Sequence, residues 1–201
     1  GNRILKVGKK EDIVAFQSDR TEVIDVGDQL VMAGFHDAHL HIMLGSLFSH
    51  YCVSLIDVQS ANEAVAKVKT YSDEHKDRDW IIGTGWDHTA WGDKEFPTCH
   101  LLDALLPHRP VVLLHVEGHY AWVNSKALEM AGITKNTKNP AYGIIYKDDS
   151  GAPTGILIET AISLVTDFAY DFPKEIFSNM VAQFLDKAAQ LGITSVNDLY
   201  A

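Results

Sequence analysis

The 201-residue sequence has only two cysteines, Cys52 and Cys99, far apart and without a Cys-Xaa-Xaa-Cys spacing. A disulfide framework or zinc knuckle is therefore disfavoured, and buried thiols are expected. Long hydrophobic runs are also missing: nothing approaches the ~18 consecutive apolar residues of a membrane span. The opening residues Gly1-Asn2-Arg3-Ile4-Leu5-Lys6 lack the apolar core of a signal peptide. No membrane partner is expected, and the cytoplasm is the default compartment. Basic side chains are the minority, 17 against 27 acidic, for a formal charge of −10. That balance disfavours nucleic acid or an anionic lipid surface as a partner. The chain has ample apolar material, with 46% hydrophobic residues, enough to bury a core in one large or two modest domains.

The most informative segment is Gly34-Phe35-His36-Asp37-Ala38-His39-Leu40-His41, at the end of an extended apolar stretch. Alternate residues of a strand share a face, so His39 and His41 can converge on one cation, with Asp37 on the same side. Imidazole is the commonest metal ligand, and a hydrolytic metal site needs several such groups on rigid backbone. A His-Xaa-His triplet also arises by chance in a chain with ten histidines, so its surroundings carry weight.

Residues 1–33 contain short β-like runs at 3–7, 13–16, 22–25 and 29–32, separated by charged or Gly-containing turns, and predict a small sheet. Residues 44–58 are apolar and fit either helix or loop. Ser60 and Glu63 form a capping box ahead of the helical stripe Ala61, Ala64, Val65, Val68 and Tyr71. Between 80 and 159 strands are mixed with short helices, an α+β pattern rather than regular βα alternation. Strands are expected at 80–84, 111–115 and 120–123, with helices after Thr98 and after an Asn124 or Ser125 cap. A hairpin joins 143–146 to 154–158. Pro173 opens the strongest helix, ended by Gly192, and residues 193–198 read as a buried strand.

Several pieces in order resemble amidohydrolase family 3, the group that includes YtcJ-like proteins and N-substituted formamide deformylases. They are Gly34 to His41, Gly83-Thr84-Gly85-Trp86-Asp87, Arg109-Pro110-Val111, Gly118-His119-Tyr120-Ala121-Trp122-Val123-Asn124-Ser125, Gly151-Ala152-Pro153-Thr154-Gly155-Ile156-Leu157-Ile158-Glu159 and Leu191-Gly192-Ile193-Thr194-Ser195-Val196. Two departures are Ala33 where the family usually has Pro, and His36 where it usually has an aliphatic residue. The resemblance implies an α/β fold with an α+β insertion: a small β-sandwich segment (1–33), a first barrel strand and following segment (34–60), the insertion (61–165), and a barrel helix and strand (166–201). A (β/α)₈ barrel takes ~250 residues, so at most two barrel strands are expected here. The chain looks like the N-terminal part of an enzyme, inactive alone, with further His ligands and the proton-transferring Asp beyond Ala201.

The resemblance also implies site roles. His39 and His41 are expected to bind a divalent metal, zinc first, one or two ions in the whole enzyme. Glu159, just before a helix start, is a third candidate ligand; a carboxylate stabilised by the helix dipole is its bland alternative. His119 is expected at the substrate, or as a structural histidine. Trp86 and Asp87 are expected in a substrate-pocket wall, although core packing is the better prior for the tryptophan. His36, His50, His75, His88, His100, His108 and His115 show no usable spacing. The expected activity is hydrolysis of a C–N bond in a small amide, formamide or cyclic amide by metal-activated water. The alternatives are hydrolytic deamination, ester cleavage, or a non-catalytic binding module; a homo-oligomer stays open.

Overall fold

The computed structural model describes residues 3–92 and 94–199, which divide into two units, residues 1–34 and 35–201. In the first unit, α1 (Lys10–Val14) is the regular element and no strand forms among the described residues. The expected small sheet over 1–33 is thus corrected. A strand needs a neighbour for its N–H and C=O groups, whereas the backbone bonds here are local turns, such as Phe16 N–H to Ile13 O and Thr21 N–H to Ser18 O.

The second unit carries two sheets. The smaller joins β1 (Phe35–Leu40) to β8 (Ile193–Asp198) in parallel. The larger has six strands: β2 (Val53–Ser54), β3 (Ile81–Trp86), β4 (Val111–His115), β5 (Tyr120–Val123), β6 (Gly143–Lys147) and β7 (Pro153–Glu159), in the order β2-β3-β4-β5-β7-β6. The β2-β3-β4 pairs are parallel and the others antiparallel. Helices α2 (Ile42–His50), α3 (Ala61–Glu74), α4 (Cys99–Asp103), α5 (Ser125–Met130), α6 (Ser163–Ala169) and α7 (Lys174–Gln190) complete the unit. Residues 44–58 therefore resolve into helix followed by an edge strand. The large sheet begins at Val53, eight residues before the expected start of the insertion at 61.

Period two organises this sheet. Ile82, Val112, Leu114, Ala121, Val123 and Leu157 enter one core with α5 and α6. Ile81, Val111, Leu113, Trp122 and Ile156 enter the opposite core with α3 and α4. Strands covered on both faces read as continuous apolar runs, as Val111-Val112-Leu113-Leu114 does. The stripe on α3 packs as its spacing requires, and Ser60 Oγ accepts from Glu63 N–H at 3.2 Å. The Glu63 carboxylate reaches back one residue further than a standard capping box, accepting from Gln59 N–H at 2.8 Å. Burial pushes the Cys52 thiol up to about 12, which fits an inert buried cysteine.

The parallel pair behaves differently. β8 has no buried residue, so the buried strand expected at 193–198 is corrected to one of partly and fully exposed side chains. The α7 stripe turns Met180 and Phe184 toward α2, where Gly45 permits the approach: a Cβ there would lie 2.8 Å from the Phe184 ring. Among the described residues no helix is long and apolar enough to cross a membrane.

Asn124 is the polar centre of the large sheet, and it is fully buried. Its Oδ1 accepts from Val111 N–H and Ala127 N–H, each at 3.0 Å, and its Nδ2 donates to Leu106 O and Arg109 O at 2.8 and 2.9 Å. Every hydrogen-bonding position of the amide with a usable geometry is filled. Asn124→Ala strands four buried backbone groups, and the expected loss is about 3 kcal/mol or more. The denaturant midpoint should fall with little change in slope.

Gly85 sets the end of β3. Register advances from Thr84 opposite Leu114 to Trp86 opposite His115, leaving Gly85 as the extra residue of a bulge at φ +93°. A Cβ there would also meet Ile56 Cγ1 at 2.7 Å. Gly85→Ala is expected to destabilise by more than about 1 kcal/mol, and to perturb the near-ultraviolet circular dichroism of the neighbouring tryptophans.

Candidate functional site

His39 lies in β1 and His41 is the first residue past Leu40, at the N-terminal cap of α2. Their rings stand edge to face with centroids 5.3 Å apart, and both are exposed. The strand end is held by β8: Leu199 N–H donates to Leu40 O at 3.0 Å, and Ile42 N–H donates to Asp198 Oδ1 at 3.3 Å. Further down the pair, His36 Nδ1 hydrogen-bonds Ser195 Oγ. Asp37 Oδ1 accepts from His39 N–H at 3.0 Å, so this carboxylate fixes the backbone that presents the ring. Two imidazoles this close, on one strand end, fit the donor set of a divalent metal.

Glu159 stands elsewhere. It ends β7 opposite His119, whose carbonyl accepts Glu159 N–H at 3.0 Å, while Glu159 Oε1 lies 3.1 Å from His119 Nδ1. The residue has φ +52° and ψ −128°, a strained conformation for anything but glycine. Both side chains of this ion pair are more than half exposed. Glu159, His39 and His41 do not form a group of three ligand atoms within 4.8 Å of one another; the two such groups among the described residues are Asp87-His88-His115 and Cys99-His100-Asp103.

Trp86 is fully buried and its indole N–H donates to Leu113 O at 2.8 Å. The bulge at Gly85 turns it onto the α3 face, where Trp86, Trp91 and Trp122 lie within 6.3 Å of each other. All three indoles are hydrogen-bonded, Trp91 to Val58 O and Trp122 to Thr98 O. Trp86 therefore presents no surface to a ligand in this structure and forms the floor under Asp87.

Asp87 caps the short turn His88–Ala90, accepting from Thr89 N–H at 2.9 Å and Thr89 Oγ1 at 2.7 Å. The Thr89 hydroxyl bond is the chief reason its carboxyl sits below the usual range. His115, at the C-terminal end of β4, is 3% exposed and packs edge-on against Trp86 at 4.8 Å. Burial lowers its pKa, opposed by the nearby Asp87 carboxylate. His115 Nε2 approaches Asp87 Oδ1 at 3.5 Å, a coulombic approach without the geometry of a hydrogen bond, so that buried nitrogen is unpartnered. No local pattern of residues signals this group. His88 adjoins Asp87, but His115 is 27 residues further on and reaches them only through the β3–β4 register. An apolar cavity of about 170 Å³, lined by Met43, Leu47, Tyr170, Phe172, Phe177 and Met180 among others, includes none of these polar groups.

The profile of the amidohydrolase family matches residues 22–201. The chain is 34% identical over 197 residues to the protein LONG AFTER FAR-RED 3 of Arabidopsis thaliana, covering 98% of this chain and 33% of that protein. It is 35% identical over 150 residues to the putative amidohydrolase YtcJ of Bacillus subtilis, covering 75% and 28%. With the N-substituted formamide deformylase of Arthrobacter pascens it shares 28% identity over 203 residues, covering 100% and 36%. An uncharacterized metal-dependent hydrolase from Pyrococcus horikoshii has a crystal structure that superposes with a TM-score of 0.61 at 26% identity, over 82% of this chain and 30% of that one. The chain thus spans about a third of the length of the relatives it matches. The profile runs through the β1 histidines, the Gly85 bulge, the His119–Glu159 pair and β8 alike, and the chain belongs to the amidohydrolase family.

Proposed function

We propose that this chain supplies the first part of a metal-dependent hydrolase site acting on the C–N bond of a small amide, formamide or cyclic amide. The observation that carries the reading is the His39–His41 pair at the end of a strand that pairs in parallel with β8. A second support is the similarity to a named formamide deformylase and to metal-dependent hydrolases. In this reading β1 and β8 are adjacent strands of a barrel, and the six-stranded sheet is an insertion between them. A divalent ion, zinc by preference, held by His39 and His41 would lower the pKa of a bound water to ~7 and polarise a carbonyl.

The chain's own residues then divide the work. Asp37 and Asp198 hold the strand end, so the two rings are presented without a search through conformers. His119, oriented by Glu159, offers a hydrogen bond to the carbonyl oxygen of a substrate as negative charge develops there. The Glu159 carboxylate serves as orienter in this arrangement, with metal bridging as its alternative in the whole enzyme. A small-molecule substrate suits this chemistry better than a polymer, and the net charge of −10 argues against a polyanionic one.

Two measurements test this in a protein of the relatives' length. His41→Ala should remove tightly bound metal and amide hydrolysis together. His119→Gln should leave metal content unchanged while lowering kcat about 10²–10³-fold, the usual cost of one oxyanion donor. The isolated 201-residue chain should bind zinc weakly at the β1 pair and show no turnover. Parent-like hydrolysis by the isolated chain, or full activity in His41→Ala, would sink the assignment.

A further inference from the structure

We propose that Asp87, His88 and His115 bind a second divalent first-row transition-metal ion, on the insertion sheet and distinct from the β1 histidine pair. Their ligand atoms already lie within 4.8 Å of one another. Tetrahedral zinc ligands at ~2.0–2.1 Å from the ion are separated by roughly 3.3–3.4 Å, and Asp87 Oδ1 and His115 Nε2 stand at 3.5 Å. The donor set of two imidazoles and a carboxylate is one that zinc and its neighbours favour.

The independent observation is a pair of unsatisfied nitrogens. His115 Nε2 and His88 Nδ1 are both buried without a hydrogen-bond partner. His115 is 97% removed from solvent by its 3% exposure. An unmade hydrogen bond at a buried polar atom costs about 1–3 kcal/mol, and here two such atoms share one neighbourhood beside a carboxylate. An ion placed among them satisfies both nitrogens and takes Asp87 Oδ1 in place of the Thr89 hydroxyl, which turns to water, while the Thr89 N–H bond that caps the turn remains.

The surroundings hold the ligands in place. The His88 ring stacks on Phe96 at 4.2 Å, and the His115 ring is wedged between Trp86 and Tyr120 at 4.8 and 5.1 Å. One proton must move on loading. His115 Nδ1 now accepts Glu117 N–H at 3.2 Å, which places the ring proton on Nε2. With Nε2 as ligand the proton sits on Nδ1 and turns to the Glu117 carboxylate, 4.0 Å away, while the exposed Glu117 N–H passes to water. Bound metal would clamp the turn His88–Ala90 to the end of β4, whose neighbour β5 begins one residue after His119. The Cys99 cluster lacks these properties: burial raises the Cys99 thiol, disfavouring the thiolate a metal requires, and His100 is exposed.

The test uses the full 201-residue chain carrying His39→Ala and His41→Ala, freed of metal with a chelator and titrated with zinc alone. One ion per chain should bind, and X-ray absorption should show scattering from two imidazoles. Adding His88→Ala should weaken binding at least ~10-fold. Adding Asp87→Asn instead should do the same while preserving the side-chain oxygen that caps the turn, so its unchanged thermal midpoint without metal separates ligand loss from unfolding. Absence of zinc binding in the His39→Ala, His41→Ala background overturns the proposal. So does binding that neither His88→Ala nor Asp87→Asn weakens, which would place the ion elsewhere.

Discussion

Because β3, β4, β5 and β7 are covered by helices on both faces, each must deliver successive side chains to two separate cores, and a slip of one residue would exchange the contents of both. This two-sided burial is the constraint on which the six-stranded sheet depends. Asn124 pins it. Its amide joins Leu106 O and Arg109 O in the loop before β4, Val111 N–H at the start of that strand and Ala127 N–H in the first turn of α5, four backbone groups that would otherwise lack these partners. One side chain thereby sets the register from which Trp86, His115 and His119 take their places.

The bulge at Gly85 departs from that alternation at the end of β3. Ile81 faces the α3 core and Ile82 the other, so an unbroken strand would send Trp86 with Ile82. The extra residue returns Trp86 to the α3 side, where its indole finds Leu113 O, and directs the chain after it toward the end of β4. Backbone geometry that only glycine adopts cheaply therefore decides which polar residues meet His115.

Most of the six-stranded sheet and its helices was legible because the signals are local. The limits of β4 and β5, the Asn124 cap, the 143–159 hairpin and the Ser60 cap all rest on residues within a turn or two of each other. The nearness of His39 and His41 was equally readable from their spacing, although His41 lies one residue past the strand, at the cap of α2. What escaped depends on partners distant in sequence. The β-like runs before Gly34 match strand composition, yet composition cannot provide a ladder. β8 has the Ile-Thr-Ser-Val pattern of a buried strand, while its exposure is set by what lies against it. His115 looked like an ordinary strand-end residue because the register that brings it to Asp87 spans 27 intervening positions of chain.

The backbone conformation of Glu159 is not offset by the contact its side chain makes. Its ion pair with His119 is more than half exposed on both sides, and such pairs contribute about 0–1 kcal/mol. A non-glycine residue at φ +52° costs of order 1–3 kcal/mol, which that pair does not offset. The conformation persists because the β5–β7 register fixes Ile158 opposite Tyr120, while the following turn Thr160–Ile162 is tied back by Thr160 Oγ1 to Ala141 O. A carboxylate held against an imidazole at a net local cost to the fold is difficult to explain as a device for stability.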